Sequence, residues 1–291
     1  MGLIPSFFLF EDRGYDLKDF KKPYVTTIGK VLGEKEYFFV KATIPQEHLD
    51  EYVGIFGAEP ELGEIGLIEY YWEPYSPLTI HRRNHLDVDL KNFIEVFEKE
   101  ASKPQIFTIT QRLPVDEIDL YIIKEKMKNP FKSLTSMGKI INRSQQLISY
   151  HFHKHVYPLW ERNSIMIFQN YYRTPLSLHF LEFSDTKSAR GFAKTLAYLP
   201  YTHIVLLSTS RPFLIYIGTI LQERALDLMR IISQLRKKDY IRYYRFIGYV
   251  DPDYFKEYTI SFRGVLRAGV WSLPATKSLD DVAEELSFPL V

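Results

Sequence analysis

A repeated order of secondary structure is what most restricts this chain. "EYFFVKATIPQEHLDEYVGIF" (Glu36 to Phe56) and then "GEIGLIEYYWEP" (Gly63 to Pro74) read as strand, helix, strand, proline. "PFLIYIGTILQERALDLMRII" (Pro212 to Ile232) and then "RYYRFIGYVDP" (Arg242 to Pro252) read the same way. In the first copy Ser6 to Phe10 is an apolar strand, and Leu17 to Phe20 is at most one helical turn. Tyr24 to Val31 and Tyr37 to Thr43 form a hairpin about Gly33-Glu34-Lys35-Glu36. Pro45 opens a helix, Gln46 to Phe56, which Gly57 and Pro60 end, and Ile65 to Trp72 is a fourth strand. In the second copy Ser177 to Phe183 is a strand and Asp185 caps a helix to Leu199. His203 to Ser208 and Phe213 to Leu221 form a hairpin, Gln222 to Lys238 a helix, and Arg242 to Val250 the last strand. The order β-α-β-β-α-β is the ferredoxin-like arrangement, one antiparallel sheet with both helices on one face. Its other face must be buried, and pairing of the two modules, within the chain or across a dimer, does so.

Between the copies, Val115 to Val156 reads as three helices. Pro114, Asp116 and Glu117 suit the start of a first helix that runs to Lys128, and Asn129-Pro130 stops it. Ser133 caps Leu134 to Ile141, Asn142 takes the left-handed turn position, and Ser144 caps Gln145 to Tyr157 before Pro158. Met137 and Ile141, and then Ile148, Phe152 and Val156, recur one turn apart and line the inner faces. Gly138 sits where a larger side chain would hold the next helix away. Gln145, Gln146, Ser149, Tyr150, His153 and Lys154 are left for the outer face, and no carboxylate occurs between Ile141 and Trp160. Such a face suits a helix entering a major groove.

"SLTSMGKIINRSQQLISYHFHKHV" (Ser133 to Val156) resembles the DNA-binding module of archaeal regulators of the Lrp/AsnC (feast/famine) type. The pattern positions are Met137, Gly138, Ile141, Ile148 and Phe152. The departures are Asn142 in place of the usual turn glycine and Arg143 where an apolar residue is common. The resemblance implies a ferredoxin-like effector module after the helix-turn-helix, which also makes the dimer; Ser177 to Val250 occupies that place. The Gly and Asp usual around that module's central hairpin are missing from Ser208 to Phe213, and the N-terminal copy has no counterpart in the family layout.

The expected fold class is therefore α+β: two ferredoxin-like (βαββαβ, RAM/ACT-like) modules flanking a central helix-turn-helix DNA-binding domain. The expected divisions are 1–101, the first module with its connector; 102–163, the helix-turn-helix; 164–250, the second module; and 251–291, a tail without an assigned role. Within the connector Asp89 to Lys99 has helical spacing, and "TITQRLP" (Thr108 to Pro114) reads as a short strand or lead-in. In the tail Tyr258 to Val265 has strand character and Leu279 to Leu286 that of a short helix.

Charge is divided along these lines. Residues 1–101 hold 11 Lys/Arg against 19 Asp/Glu, residues 102–163 hold 10 against 5, and residues 164–291 hold 16 against 12. An acidic front would not dock on a phosphate backbone, whereas a basic middle and back could, although different solvated faces on separate domains also account for the charges of the front and the back. With no cysteine in 291 residues, disulfides, thiolate catalysis and cysteine zinc sites are excluded, which fits a cytoplasmic protein. The N-terminus lacks a basic region and is a poor signal peptide, and the apolar run His203 to Leu221 is interrupted at Ser208 to Pro212, so no membrane association is expected.

Motifs for other chemistry are missing. There is no P-loop, no Gly-x-Gly-x-x-Gly after a strand and no Gly-x-Ser-x-Gly. His151 and His155, one turn apart, have the spacing of a metal-ligand pair, but the nearest carboxylate in the sequence is Glu161, beyond Pro158. The simpler reading has His151, His153 and His155 flanking a DNA-facing surface. Tyr240, Tyr243, Tyr244 and Phe246 with Arg242 and Arg245 have the composition of a base-stacking sheet, but alternation in an ordinary sheet gives the same pattern.

The expected function is a dimeric, sequence-specific transcription regulator that binds double-stranded DNA, without catalysis, cofactor or metal. Gln145, Gln146, Ser149 and Tyr150 are the candidates for base edges. Lys132, Ser133, Lys139, Arg143, His153 and Lys154 are the candidates for phosphates. A small-molecule effector would act through the sheet modules. Two rivals stand beside this reading: a sensor or assembly protein that binds no DNA, and an enzyme with a pocket between the two modules.

Overall fold

The computed structural model describes residues 1–83, 85–104, 113–164, 170–274 and 276–286. The protein is a mixed α+β chain built on one large antiparallel sheet. In chain order the first half holds β1 (Leu3–Glu11), β2 (Val25–Gly33), β3 (Glu36–Pro45), α1 (Leu49–Tyr52), β4 (Leu62–Ile65) and β5 (Leu67–Tyr70). A hairpin of β6 (Thr79–His81) and β7 (Leu86–Val88) follows, and then helix α2 (Phe93–Ser102). Next come α3 (Glu117–Lys128), α4 (Leu134–Ile140) and α5 (Gln145–His151). The second half holds β8 (Ser177–Phe183), α6 (Thr186–Ala197), β9 (Thr202–Ser208), β10 (Phe213–Gly218), α7 (Gln222–Lys237) and β11 (Ile241–Val250). The tail adds β12 (Lys256–Glu257), β13 (Leu266–Arg267), β14 (Val270–Trp271) and α8 (Leu279–Val282).

Both halves order their strands alike. The sheet runs β4-β1-β3-β2-β11-β8-β10-β9-β5, so each half places its last strand beside its first, then its third, then its second. The halves meet at two seams, β2 against β11 and β5 against β9. The sequence expectation of one strand from Ile65 to Trp72 is corrected here: the strand is broken at Gly66, and its two pieces pair with different halves. Gly66 donates its N–H to Pro5 O at 3.0 Å on the β1 side and accepts from Thr209 N at 3.0 Å on the β9 side. Its φ of +79° favours glycine, and a Cβ there would stand 2.8 Å from Thr209 Oγ1. The two ends of the sheet thus belong to one stretch of chain, and the sheet closes on itself.

Alternation along the strands assigns the faces. Phe7, Leu9, Phe39, Phe180, Leu206 and Ile215 point inward and fill the space between the halves. Phe8, Phe10, Phe38 and Val40 point outward on the first half and pack with Tyr52 and Phe56. Leu181, Phe183, Leu214 and Tyr216 point outward on the second half beneath α6 and α7. The face each sheet would have exposed is therefore buried by the other half of the same chain.

Other local expectations are adjusted. Gln46 to Phe56 is one helical stretch but mixes geometries, with 3-10 turns at Gln46–His48 and Val53–Phe56 around α1. In the connector, α2 packs on the second half, not the first, with Phe93 and Phe97 against Phe192. The expected lead-in at Thr108 to Pro114 falls mostly outside the described residues. In the tail Tyr258 to Val265 is not a strand; β12 pairs with β2, and Tyr258 makes one bridge to Glu285. The tail lies between the first half and α3. Ser261 Oγ accepts from Tyr24 N at 2.9 Å, Tyr24 Oη donates to Ser272 O at 2.5 Å, and Leu279 N donates to Lys21 O. Among the described residues no helix is long and apolar enough to cross a membrane.

Candidate nucleic-acid interface

Capping fixes the three central helices much as their sequence dictates. The Asp116 carboxylate accepts from Ile118 N and Asp119 N, and Asp119 accepts from Asp116 N at 2.9 Å, a reciprocal box at the start of α3. Ser133 accepts from Ser136 N and Ser144 from Leu147 N, each at 3.2 Å. Between them Asn142 takes a φ of +53°, and Arg143 N donates to Gly138 O at 2.8 Å. Met137 and Ile148 are fully buried, with Val156 nearly so. At Gly138 an added Cβ would lie 2.7 Å from the Arg143 carbonyl oxygen and 3.4 Å from Ile148, so glycine is what lets α4 approach the turn.

The third helix departs from expectation beyond His151. It is α-helical from Gln145 to His151, widens to a π-helical turn at Phe152–Val156, and tightens to a 3-10 turn at Tyr157–Leu159 that includes Pro158. Gln145, Gln146, Tyr150, His153 and Lys154 are exposed and Ser149 is half-buried. Lys139 and Arg143 are exposed beside them, and among the described residues neither they nor Lys154 pairs with a carboxylate. Ser133 is exposed but spends its hydroxyl on the cap. Lys132 is half-buried and ion-paired with Glu125.

One expectation about this face is corrected. His151 and His155 do not flank it; both rings turn inward to Asp119 of α3. His151 Nδ1 lies 2.9 Å from Asp119 Oδ1, and His155 Nδ1 lies 3.1 Å from Oδ2. Only His153 of the three points outward. No carboxylate lies in the sequence between Ile141 and Trp160, but Asp116 of the first central helix's cap, half-exposed, stands 3.6 Å from His151 Nδ1. Residues 32 and 36 positions apart meet here, which local spacing could not show.

The back of the module is held by charge. Glu284 of the tail meets Lys124 at 2.9 Å, Lys128 at 2.7 Å and Arg263 at 3.4 Å. Burial alone would raise its carboxyl, but the hydrogen bonds and charges of Lys128 and Lys124 outweigh this and bring it down to about 2. Glu125 behaves alike: burial raises it, and Lys124 and Lys132 lower it by more. Lys126 is pulled below its ordinary range by burial; its ammonium sits 5.3 Å over Phe152 and 5.8 Å over Trp160. A cavity of about 390 Å³ opens beside it, lined by Met1, Ile123, Met127, Val156 and Trp160.

No family model matches the chain, and no curated protein matches it. Solved structures that it is similar to include AsnC of E. coli, at 13% identity over 47% of this chain and 92% of that one, TM-score 0.35. An AsnC-family transcriptional regulatory protein of Pyrococcus furiosus is similar at 16% identity over 46% of this chain and 88% of that one, TM-score 0.33. The siroheme decarboxylase NirDL is similar at 10% identity over 84% of this chain and 70% of that one, TM-score 0.47.

Proposed function

We propose that this chain is a sequence-specific, non-enzymatic DNA-binding transcription regulator whose reading element is α5. One observation carries the reading: Gln145, Gln146, Tyr150, His153 and Lys154 stand exposed together on a helix fixed from behind by Ile148 and a capped turn. Amide and hydroxyl groups on a rigid helix are what base edges in a major groove require. Gln145, Gln146, Ser149 and Tyr150 take the base-edge role. Lys139, Arg143, His153 and Lys154 take the phosphates, with Lys132 and Ser133 at the margin because both already have partners.

On this reading residues 1–101 and 164–250 are two ferredoxin-like modules that carry the helix-turn-helix of residues 102–163, and they are the place for a small-molecule effector. The space between them is packed with apolar side chains, which favours a scaffold over an active site there. Two copies would set two reading helices about one DNA turn apart, ~34–36 Å. Both sheet seams are used within one chain, so such a dimer would form through another surface. Selection of bound fragments from random double-stranded DNA tests the proposal. It should return a shared motif with the intact protein and the same motif with one position relaxed for Gln146→Ala. Failure of the intact protein to retain any duplex at low salt would sink it.

A further inference from the structure

We infer that Asp119, His151 and His155 form a binding site for a divalent transition-metal ion, one that pins the first central helix to the third. Their ligand atoms, one carboxylate oxygen and two imidazole nitrogens, all lie within 4.8 Å of one another. Two ligands each ~2.0–2.1 Å from a tetrahedral ion stand about 3.3 Å apart. The nitrogen-to-oxygen separations here are 2.9 and 3.1 Å, so shifts of a few tenths of an ångström admit the ion.

The surroundings favour an ion as well. The Asp119 side chain is fully buried, and among the described residues no lysine or arginine reaches it; it is faced only by the two imidazoles and the Asp116 N–H. A buried carboxylate with no fixed cation is costly. Two neutral imidazoles and a carboxylate are a donor set that borderline ions such as Zn²⁺, Co²⁺ or Ni²⁺ accept, whereas Mg²⁺ and Ca²⁺ call for oxygen. Asp116 Oδ1, 3.6 Å from His151 Nδ1, is committed to the cap of α3, which leaves the fourth position to water. His151 ends α5 and His155 lies within the π-helical turn that follows it, and such turns are frequent at functional sites. The Tyr150 ring packs edge-on against both imidazoles, at 5.6 Å each, which ties the site to the exposed face without resting on what that face binds.

The test is titration of full-length, chelator-stripped protein with Zn²⁺ by calorimetry and with Co²⁺ by visible absorption. One equivalent per chain is expected, with the strong visible bands of a low-symmetry Co²⁺ site. His155→Gln, at a half-exposed position, should keep the far-ultraviolet circular dichroism of the intact protein and lose affinity by more than the roughly 10–100-fold that second-sphere changes cost. Asp119→Asn should lose it too, and the surface variant His85→Ala should not. Absence of binding by the intact protein, or equal binding by His155→Gln and the intact protein, would overturn the assignment.

Discussion

Arg143 N donates to Gly138 O at 2.8 Å across the turn between α4 and α5, and a Cβ on the glycine would stand 2.7 Å from the Arg143 carbonyl oxygen. That carbonyl is backbone and cannot swing aside. In an exposed helix Gly→Ala would stabilise by up to about 1 kcal/mol. Here the crowding reverses the sign, and Gly138→Ala should cost about 1–3 kcal/mol by displacing the turn. Thermal melting together with amide exchange over residues 134–151 checks this. A raised melting temperature would contradict it.

Gln146 and Arg143 are both exposed and close in sequence, but their chemistry separates them. Gln146→Ala should relax preference at one base position by about 1–3 kcal/mol, with little change in salt dependence. Arg143→Ala should weaken all duplexes alike and reduce the slope of log K against log salt by about 1. Binding isotherms on matched and mismatched duplexes at several salt concentrations distinguish the two.

Glu284 anchors the tail to α3 through Lys124 and Lys128. Its carboxyl is held at about 2 in the folded protein against an ordinary 4.5. A depressed acid contributes stability that is fully present above the ordinary value and lost as pH falls toward the folded one. Glu284→Gln should therefore destabilise by about 1 kcal/mol at neutral pH, discounted for its partial exposure, and by progressively less between about pH 4.5 and pH 2. Denaturant midpoints of both proteins at several pH values measure the convergence. A difference that does not shrink in acid would sink the attribution.

Gly66 carries a φ of +79° where the strand changes partners. A side chain there meets backbone strain of about 1–2 kcal/mol and the Thr209 hydroxyl as well. Gly66→Val should lower the denaturant midpoint and expose the amides of β5 and β9 to exchange before those of β1 and β3. Uniform loss of protection across all four strands would speak against a local seam.

How legible these features were in the sequence depends on the distance over which they act. Ser133, Ser144 and Asp185 cap their helices because an N-cap is a contact within three residues. Asn142 and Gly138 were readable for the same reason. The run from Ile65 to Trp72 reads as one strand because its composition carries no mark of which neighbour each piece takes. The tail was opaque because its segments are short and take their shape from Tyr24, Lys21 and α3. The place of His151 and His155 is illegible locally because Asp119, the group they turn to, lies 32 and 36 positions away.

The closed ring of strands has a consequence for assembly. Two subunits joined edge to edge would separate on dilution, at a concentration set by their affinity. Here the intervening chain holds the partners together, and the seams β2–β11 and β5–β9 form at an effective concentration that dilution leaves unchanged. Nor must the partners be copies: one half carries the three central helices and the tail on its outer face while the other is roofed by α2, α6 and α7, a division of labour that a symmetric pair cannot adopt.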